Sequence, residues 1–373
     1  MAAAACLATS AVPAAVLTDP APASHSIAII YSEADRAAIR EFDTIIAGIE
    51  ANPDISVHRI PVTTGQIAVG PPPAQGIKVA FNSRSGSIAV IYPDIGEPYR
   101  SVFAQIIEGI EDKAKTRVAS FPVGADVDSE RVAGELRKQN IKVVIALGRH
   151  GIKVASGLNR DIGVVAGGVI WAPEAATRAV SVISLAPDPT LMFTRLKGFM
   201  PTIRRVFMVY DPKHNAWLVR LAKEAAQALD LELVTYQASD LRAAVRRYQE
   251  ILATANPKQD ALWLPQDSTT VEESSVLPLV LEKAWDRSLV VFSSNVTHVS
   301  RGVLFALYPD NLELGRNLAN SALDFLGAGT QDAHIVTPLR TVLLAVNLRT
   351  AGHLGLKLSN EQQRRVDLAF PQR

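Results

Sequence analysis

Cysteine is almost missing from this chain of 373 residues. The single Cys6 cannot form an intrachain disulfide, so the fold rests on buried apolar surface rather than on covalent cross-links. Net charge is missing too: 38 basic and 37 acidic residues leave +1 at neutral pH. No summed field then favours nucleic acid or an anionic membrane surface, and any ligand must be recognised locally. No stretch after the N-terminal segment approaches the roughly 18–20 uninterrupted apolar residues of a membrane span. Short catalytic signatures are also lacking: there is no GxxxxGK[ST] phosphate loop, no GxGxxG after a strand, no GxSxG elbow and no HExxH. The histidines at 25, 58, 150, 214, 298, 334 and 353 show no i,i+4 pair and no neighbouring second ligand. The expectation is a protein with no catalytic residues, no cofactor and no metal.

What is present is a large potential core. Hydrophobic residues make up 48% of the chain and charged ones 20%, and the length suits two domains or lobes. Residues 1–26 are rich in Ala and small residues, and Ala21-Pro22-Ala23 resembles a small-x-small signal-peptidase site. No Lys or Arg precedes Arg36, so the basic start of an export signal is wanting. Three readings stand side by side: an export signal, a lipoprotein cleavage site at Ala3-Ala4-Ala5-Cys6 if the true start lies upstream, and a disordered Ala-rich segment.

From Ile27 onward, short β-branched runs alternate with amphipathic segments of helical length, the pattern of an α/β protein with parallel sheets. The strand candidates include 27–31, 88–92, 118–121, 143–147, 163–166, 180–185, 206–210, 232–236, 261–264, 289–292 and 342–346. Helices are expected over 98–113, 129–139, 189–199, 215–229, 240–255, 271–285 and 311–326, with Ser129 and Asp240 as N-caps and Gly327 as a C-terminal stop. One unit is repeated. The stretch from Ile27 recurs from Ile88 at a constant offset of 61 residues, with Ile30/Ile91, Tyr31/Tyr92, Phe42/Phe103 and Gly48/Gly109 identical. Residues 27–62 therefore read as an extra β-α-β unit, and 63–86, with Gly70-Pro71-Pro72-Pro73, as a linker.

In a parallel sheet the carboxyl ends of the strands line the ligand crevice. That rule selects Asp94, Glu97 and Tyr99 after the strand at 88–92, Gly148 and Arg149 after Leu147, and Gly168 after Ala166. It also selects Asp267, Ser268 and Thr269 after Leu264, and Ser293, Ser294 and Asn295 after Phe292. Hydroxyls leading into a helix N-terminus can hold a carboxylate, and Asp267 can neutralise an amine. The alternative for Asp267-Ser268-Thr269 is helix capping alone. Trp171 is either a stacking surface for an aromatic ligand or hinge packing. Trp217, Trp263 and Trp285 read as packing residues, and Arg204-Arg205 as solvated charges.

From about Ser87 to Leu358 the order of features resembles the ABC-transporter substrate-binding proteins of the tryptophan/tyrosine type, a branch of the periplasmic binding proteins. The resemblance rests on KVVIALGRHGIKVA, IGVVAGGV, RRVFMVYDP and DALWLPQDSTTV, and on the long block from Leu289 with Arg301-Gly302, Tyr308, Glu313-Leu314-Gly315-Arg316 and Asn347-Leu348. It implies two Rossmann-like lobes with parallel sheets, joined by a hinge and closing on a small molecule, with Tyr308 added to the ligand-facing residues. It also implies a monomer in the periplasm, lipid-anchored if Cys6 is modified, that meets an ABC permease in the inner membrane and binds no nucleic acid. The expected division is 87–179 with about 304–328 for lobe 1, 180–303 with about 335–358 for lobe 2, and 359–373 as a tail. The chain departs from the family at Pro93-Asp94-Ile95-Gly96-Glu97-Pro98, at Arg149-His150 where small residues are common, and at 27–62.

Overall fold

A computed structural model describes residues 25–32, 55–62, 87–97, 99–124, 126–159, 161–171, 180–328 and 336–371. Two compact units result, Met1–Ala80 and Phe81–Arg373. Cys6, most of the Ala-rich segment and the whole of 63–86 lie outside the described residues.

In the first unit, β1 (His25–Ser32) pairs in parallel with β2 (Ile55–Val62), His25 opposite Ile55. A parallel pair requires a crossover, and the stretch that would supply it, 33–54, lies outside the described residues. The second unit begins with the repeat partner of this pair. There β3 (Ile88–Pro93) pairs in parallel with β4 (Ala119–Val123), with Ala89 opposite Ala119. Ala28 stands opposite His58 in the first copy, so the 61-residue offset carries one pairing register onto the other.

The larger unit holds two sheets. The first contains β3, β4, β5 (Val143–Leu147), β6 (Gly163–Val169), β7 (Ser181–Pro187) and β13 (Val336–Leu339), in the order β13-β7-β6-β5-β3-β4, all parallel. Helices α1 (Tyr99–Ala114), α2 (Ser129–Lys138) and α3 (Gly148–Ala155) connect its strands. The second runs β15-β14-β12-β11-β10-β8-β9. Its strands are β8 (Arg205–Tyr210), β9 (Glu232–Gln237), β10 (Asp260–Leu264), β11 (Val290–Ser293), β12 (Phe305–Pro309), β14 (Val342–Asn347) and β15 (Leu368–Phe370). Only the β12–β14 pair is antiparallel. Helices α4 (Pro189–Phe199), α5 (Pro212–Ala228), α6 (Leu241–Thr254), α7 (Val276–Arg287) and α8 (Thr297–Ser300) belong to this half. The long α9 (Asn311–Ala328) returns to the first sheet, and α10 (Leu348–His353) and α11 (Asn360–Arg364) close the second.

The strands read as they do because helices cover both faces. Every residue of β5 and of β10 is buried, and apart from Asp260 at the start of β10 these runs are continuously apolar rather than alternating. Helix starts are set by aspartates. Asp188 accepts from the Thr190 amide at 2.9 Å with Pro189 in the first turn, Asp211 from Lys213 at 2.9 Å with Pro212 in the first turn, and Asp240 from Ala243 at 2.8 Å. At α2 the cap is Asp128 rather than Ser129, because the carboxylate accepts from both Glu130 and Arg131 amides. Gly327 lies inside α9, one residue before its end, and closes nothing.

The lobe boundaries differ from the expected ones in three places. Strand β7 hydrogen-bonds to β6, so the first lobe extends to Pro187 and not to 179. Strand β12 pairs with β11 and belongs to the second lobe, while β13 pairs with β7 and belongs to the first. The physical reason is the same each time: sheet membership is set by hydrogen-bonded partners that only the folded sheet brings alongside, β6 and β13 for β7, β11 and β14 for β12, and β7 for β13. The chain thus passes between lobes after β7, after β12 and after β13. Hydrogen bonds tie the passages together. The Asp188 amide donates to the Leu339 carbonyl at 2.8 Å, Arg340 Nε to the Asp188 carboxylate at 3.0 Å, and the Asp310 amide to the Thr341 carbonyl at 3.3 Å.

Helix α9 is held on the first lobe by α1 at very close range. A Cβ on Gly109 would fall 2.0 Å from the Leu312 carbonyl oxygen, and one on Gly315 would fall 2.0 Å from that of Ile106. Beside this crossing Arg316 Nε pairs with Asp112 at 2.8 Å.

Candidate functional site

The carboxyl ends of strands from both sheets face one cavity of about 410 Å³, within the size range of small-molecule sites. The first lobe contributes Arg149, which follows β5, and Ile170 and Trp171, which follow β6. From the second come His214 in the first turn of α5, the stretch after β10 from Pro265 to Ser268 with Val271, Glu272 and Glu273, and Asn295 and His298 after β11. Two positive-φ glycines shape the first-lobe rim. Gly148 starts α3 at φ +67, where a Cβ would come 2.8 Å from Pro93 Cγ, and Gly168 at φ +69 bends β6.

The carboxylates of the second lobe are mostly committed. Asp267, 6% exposed, accepts on Oδ2 from the Asp211 amide at 2.8 Å and from Asn215 Nδ2 at 2.9 Å. On Oδ1 it accepts from the Thr269 and Thr270 amides at 3.0 and 3.2 Å. A carboxylate offers about four lone-pair positions, and all are used. Its bonds lock the β10 loop onto the start of α5; it caps no helix, since α7 begins only at Val276. Asp211 in turn accepts from Thr269 Oγ1 at 3.1 Å and lies 3.0 Å from His214 Nδ1. Glu272 accepts from the Ser274 amide and from both the amide and hydroxyl of Ser275 at 2.6–2.8 Å. Those bonds, the Ser275 hydroxyl first, hold its carboxyl down at about 2.

His298 is the buried base of the site, 2% exposed. Its Nδ1 lies 2.9 Å from Ser293 Oγ, its Nε2 3.3 Å from Asn295 Nδ2 and 3.8 Å from Glu273. Burial pushes its pKa below the ordinary imidazole value; Glu273 opposes the shift and Arg301 adds to it. Ser293 also donates to the Leu264 carbonyl at 3.1 Å, and Ser294 accepts from Trp263 Nε1 at 3.0 Å. Both serines are thus internal braces. Trp171 meets the His214 ring edge-on, with centroids 4.8 Å apart.

Of the residues expected at the site, Arg149, Asp267, Ser268 and Asn295 line the cavity. Thr269, Ser293 and Ser294 stand directly behind it as braces. Gly148 and Gly168 shape the adjoining backbone. Asp94, Glu97, Tyr99 and Tyr308 do not line it. Asp94 is exposed with its amide on the Val123 carbonyl, Glu97 caps α1 through Ser101, and Tyr99 is 60% exposed. Tyr308 packs with Val299, Ala306 and Ala345, because β12 sits between β11 and β14 rather than at the cleft. Trp171, weighed as either ligand surface or packing, is on the cavity wall. The lining residues that strand-end reading passed over include Ile170, His214, Val271, Glu273 and His298. His214 and His298 sit within the first helical turn after β8 and β11, so carrying the strand-end rule one turn further finds both. Among the described residues no group of His, Cys, Asp and Glu has the arrangement of a metal site.

Residues 189–365 match the model of a family described as ABC transporter substrate binding protein. No curated protein matches the chain in sequence. Among solved structures, the ligand-free, open form of a substrate binding protein with adhesive properties from Clostridium difficile superposes with a TM-score of 0.57 at 16% identity, over 77% of this chain and 99% of that one. An ABC domain in complex with L-Trp from Streptococcus pneumonia gives 0.50 at 16% identity, over 77% and 100%. The chain has the type I periplasmic binding protein fold.

Proposed function

We propose that this is an exported solute-binding protein of an ABC importer, which captures a small molecule of amino-acid size between its two lobes and presents it to an inner-membrane permease. The observation that carries this reading is the cavity itself. Both sheets turn their strand ends toward it, with Arg149 and Trp171 on one side and His214, Gln266 and Asn295 on the other. A ligand touching both sides gains its full set of contacts only when the lobes close, and so shifts the population toward the closed form. The family match of the second half and the fold support the same reading. On it the protein is a monomer that works in the periplasm, carries no catalytic step and needs no cofactor or metal. Among the described residues no helix is long and apolar enough to cross a membrane.

A thermal-shift panel of amino acids, organic acids, peptides, sugars and nucleosides tests it, since a ligand that binds only the native state raises Tm. Small-angle scattering with the hit should show a smaller radius of gyration. A hit that leaves the scattering profile unchanged removes closure, and a panel without hits removes solute capture. A second reading, a periplasmic regulatory or accessory protein that keeps the fold without transport, draws support from the β1–β2 pair, which duplicates β3–β4 in sequence and register. Uptake of the identified solute by cells lacking this gene decides between them: lost uptake supports transport, unchanged uptake the accessory role.

A further inference from the structure

We infer that the cleft selects a carboxylate carrying an aromatic or other planar apolar group and does not require an ammonium group on its ligand. This rests on the solute-capture reading above and narrows it. An ammonium ligand needs a carboxylate with free acceptor positions. Asp267 has none, since four N–H groups fill both oxygens, and Glu272 is turned onto Ser274 and Ser275. Asp211 is shared among Lys213, Thr269 and His214. Glu273 is the remaining acid; it keeps acceptor positions, but Arg301 at 3.9 Å and His298 at 3.8 Å stand against it, and the Arg301 guanidinium offsets its charge.

The cation side is the reverse. Arg149 is exposed at the cavity wall, and no described side chain pairs with it. It stands at the start of α3, which no side chain caps, so its guanidinium and the positive end of the helix act in the same sense on an anion. Arginine also binds carboxylates bidentately, with a planar fork that matches the carboxylate plane. The rest of a ligand would meet Ile170, Trp171, Pro265 and Val271, a mostly apolar wall suited to a ring.

Titration calorimetry on the full chain with three matched probes tests this: 3-phenylpropionate, L-phenylalanine, which adds the ammonium, and phenethylamine, which lacks the carboxylate. Benzoate and indole-3-propionate extend the acid series. The expected result is binding of the acids, weaker binding of L-phenylalanine and none of the amine. Arg149→Gln should weaken the acids at least about tenfold, while Gly134→Ala, on a helix that does not line the cavity, leaves them unchanged. Arg149 is on the surface, and an unchanged Tm for the ligand-free variant confirms that it still folds. The inference is overturned if L-phenylalanine or the amine binds and the acids do not, or if Arg149→Gln leaves the affinity for the acids unchanged. Either outcome leaves solute capture standing. Absence of any ligand across the wider solute panel overturns both.

Discussion

Asp267 was legible as a cleft residue, and its charge invites the assignment of an amine partner. What decides its role is how many donors converge on it, and two of the four come from Asp211 and Asn215, more than fifty residues away. Strand-end reading locates such a residue but cannot count its partners. Asp267→Asn replaces one acceptor oxygen by an NH2 group facing N–H donors, and should cost about 3 kcal/mol of stability in urea unfolding. Asn295→Ala, on the same cavity wall, should cost less and act on ligand affinity.

His298 makes a separate prediction in pH. Its pKa is lowered in the folded protein, so below the ordinary value of 6.5 the unfolded chain binds a proton that the native one resists. Stability should therefore fall as pH drops from about 6.5 through the lowered value. His298→Asn should flatten that part of a urea-midpoint against pH curve. A variant that keeps the full slope would show that other groups carry it.

At the scale of elements, the strands and helices of the two lobes were largely readable, since continuous apolar runs and aspartate caps are local signals. The unread ones are short. β13 and β15 have 4 and 3 residues, too few to show a period, and β12 ends in Tyr308-Pro309, where its final residues are half-buried. Arg205 was read as a solvated charge, yet its Nε and Nη2 bind Asp260 at 3.0 and 2.8 Å, an alignment that exists only once β8 and β10 pair. Trp285 was read as packing, but it is 38% exposed and stacks on His353 with centroids 3.8 Å apart.

Glycines inside helices separate by what surrounds them. Gly109→Ala drives a methyl into the α9 backbone, and should lower Tm by about 5 °C or more. Gly134, inside α2, has nothing within 4 Å of its Cβ position. Gly134→Ala should leave stability equal or raise it by about 0.5–1 kcal/mol, because alanine gains helix propensity without a clash. Similar losses in both variants would contradict the close crossing.

At the scale of the whole molecule, two lobes were expected from the length and the family resemblance and crevice residues from the strand-end rule, whereas lobe membership of β7, β12 and β13 had to await the sheets themselves. The three passages between lobes bear on how the protein is made. The core of the first lobe includes Leu314, Leu318, Ala322 and Leu339. A chain emerging from the ribosome exposes the apolar face of α1 around Gly109 until some two hundred further residues have followed. The first lobe is thus finished after most of the second, although its strands come first. A chain truncated after residue 303 should leave that face uncovered and be cleaved rapidly by protease within 87–171, and adding a peptide spanning 304–341 should slow the cleavage. On the export proposed above, late closure of the first lobe keeps the chain threadable until synthesis is nearly complete.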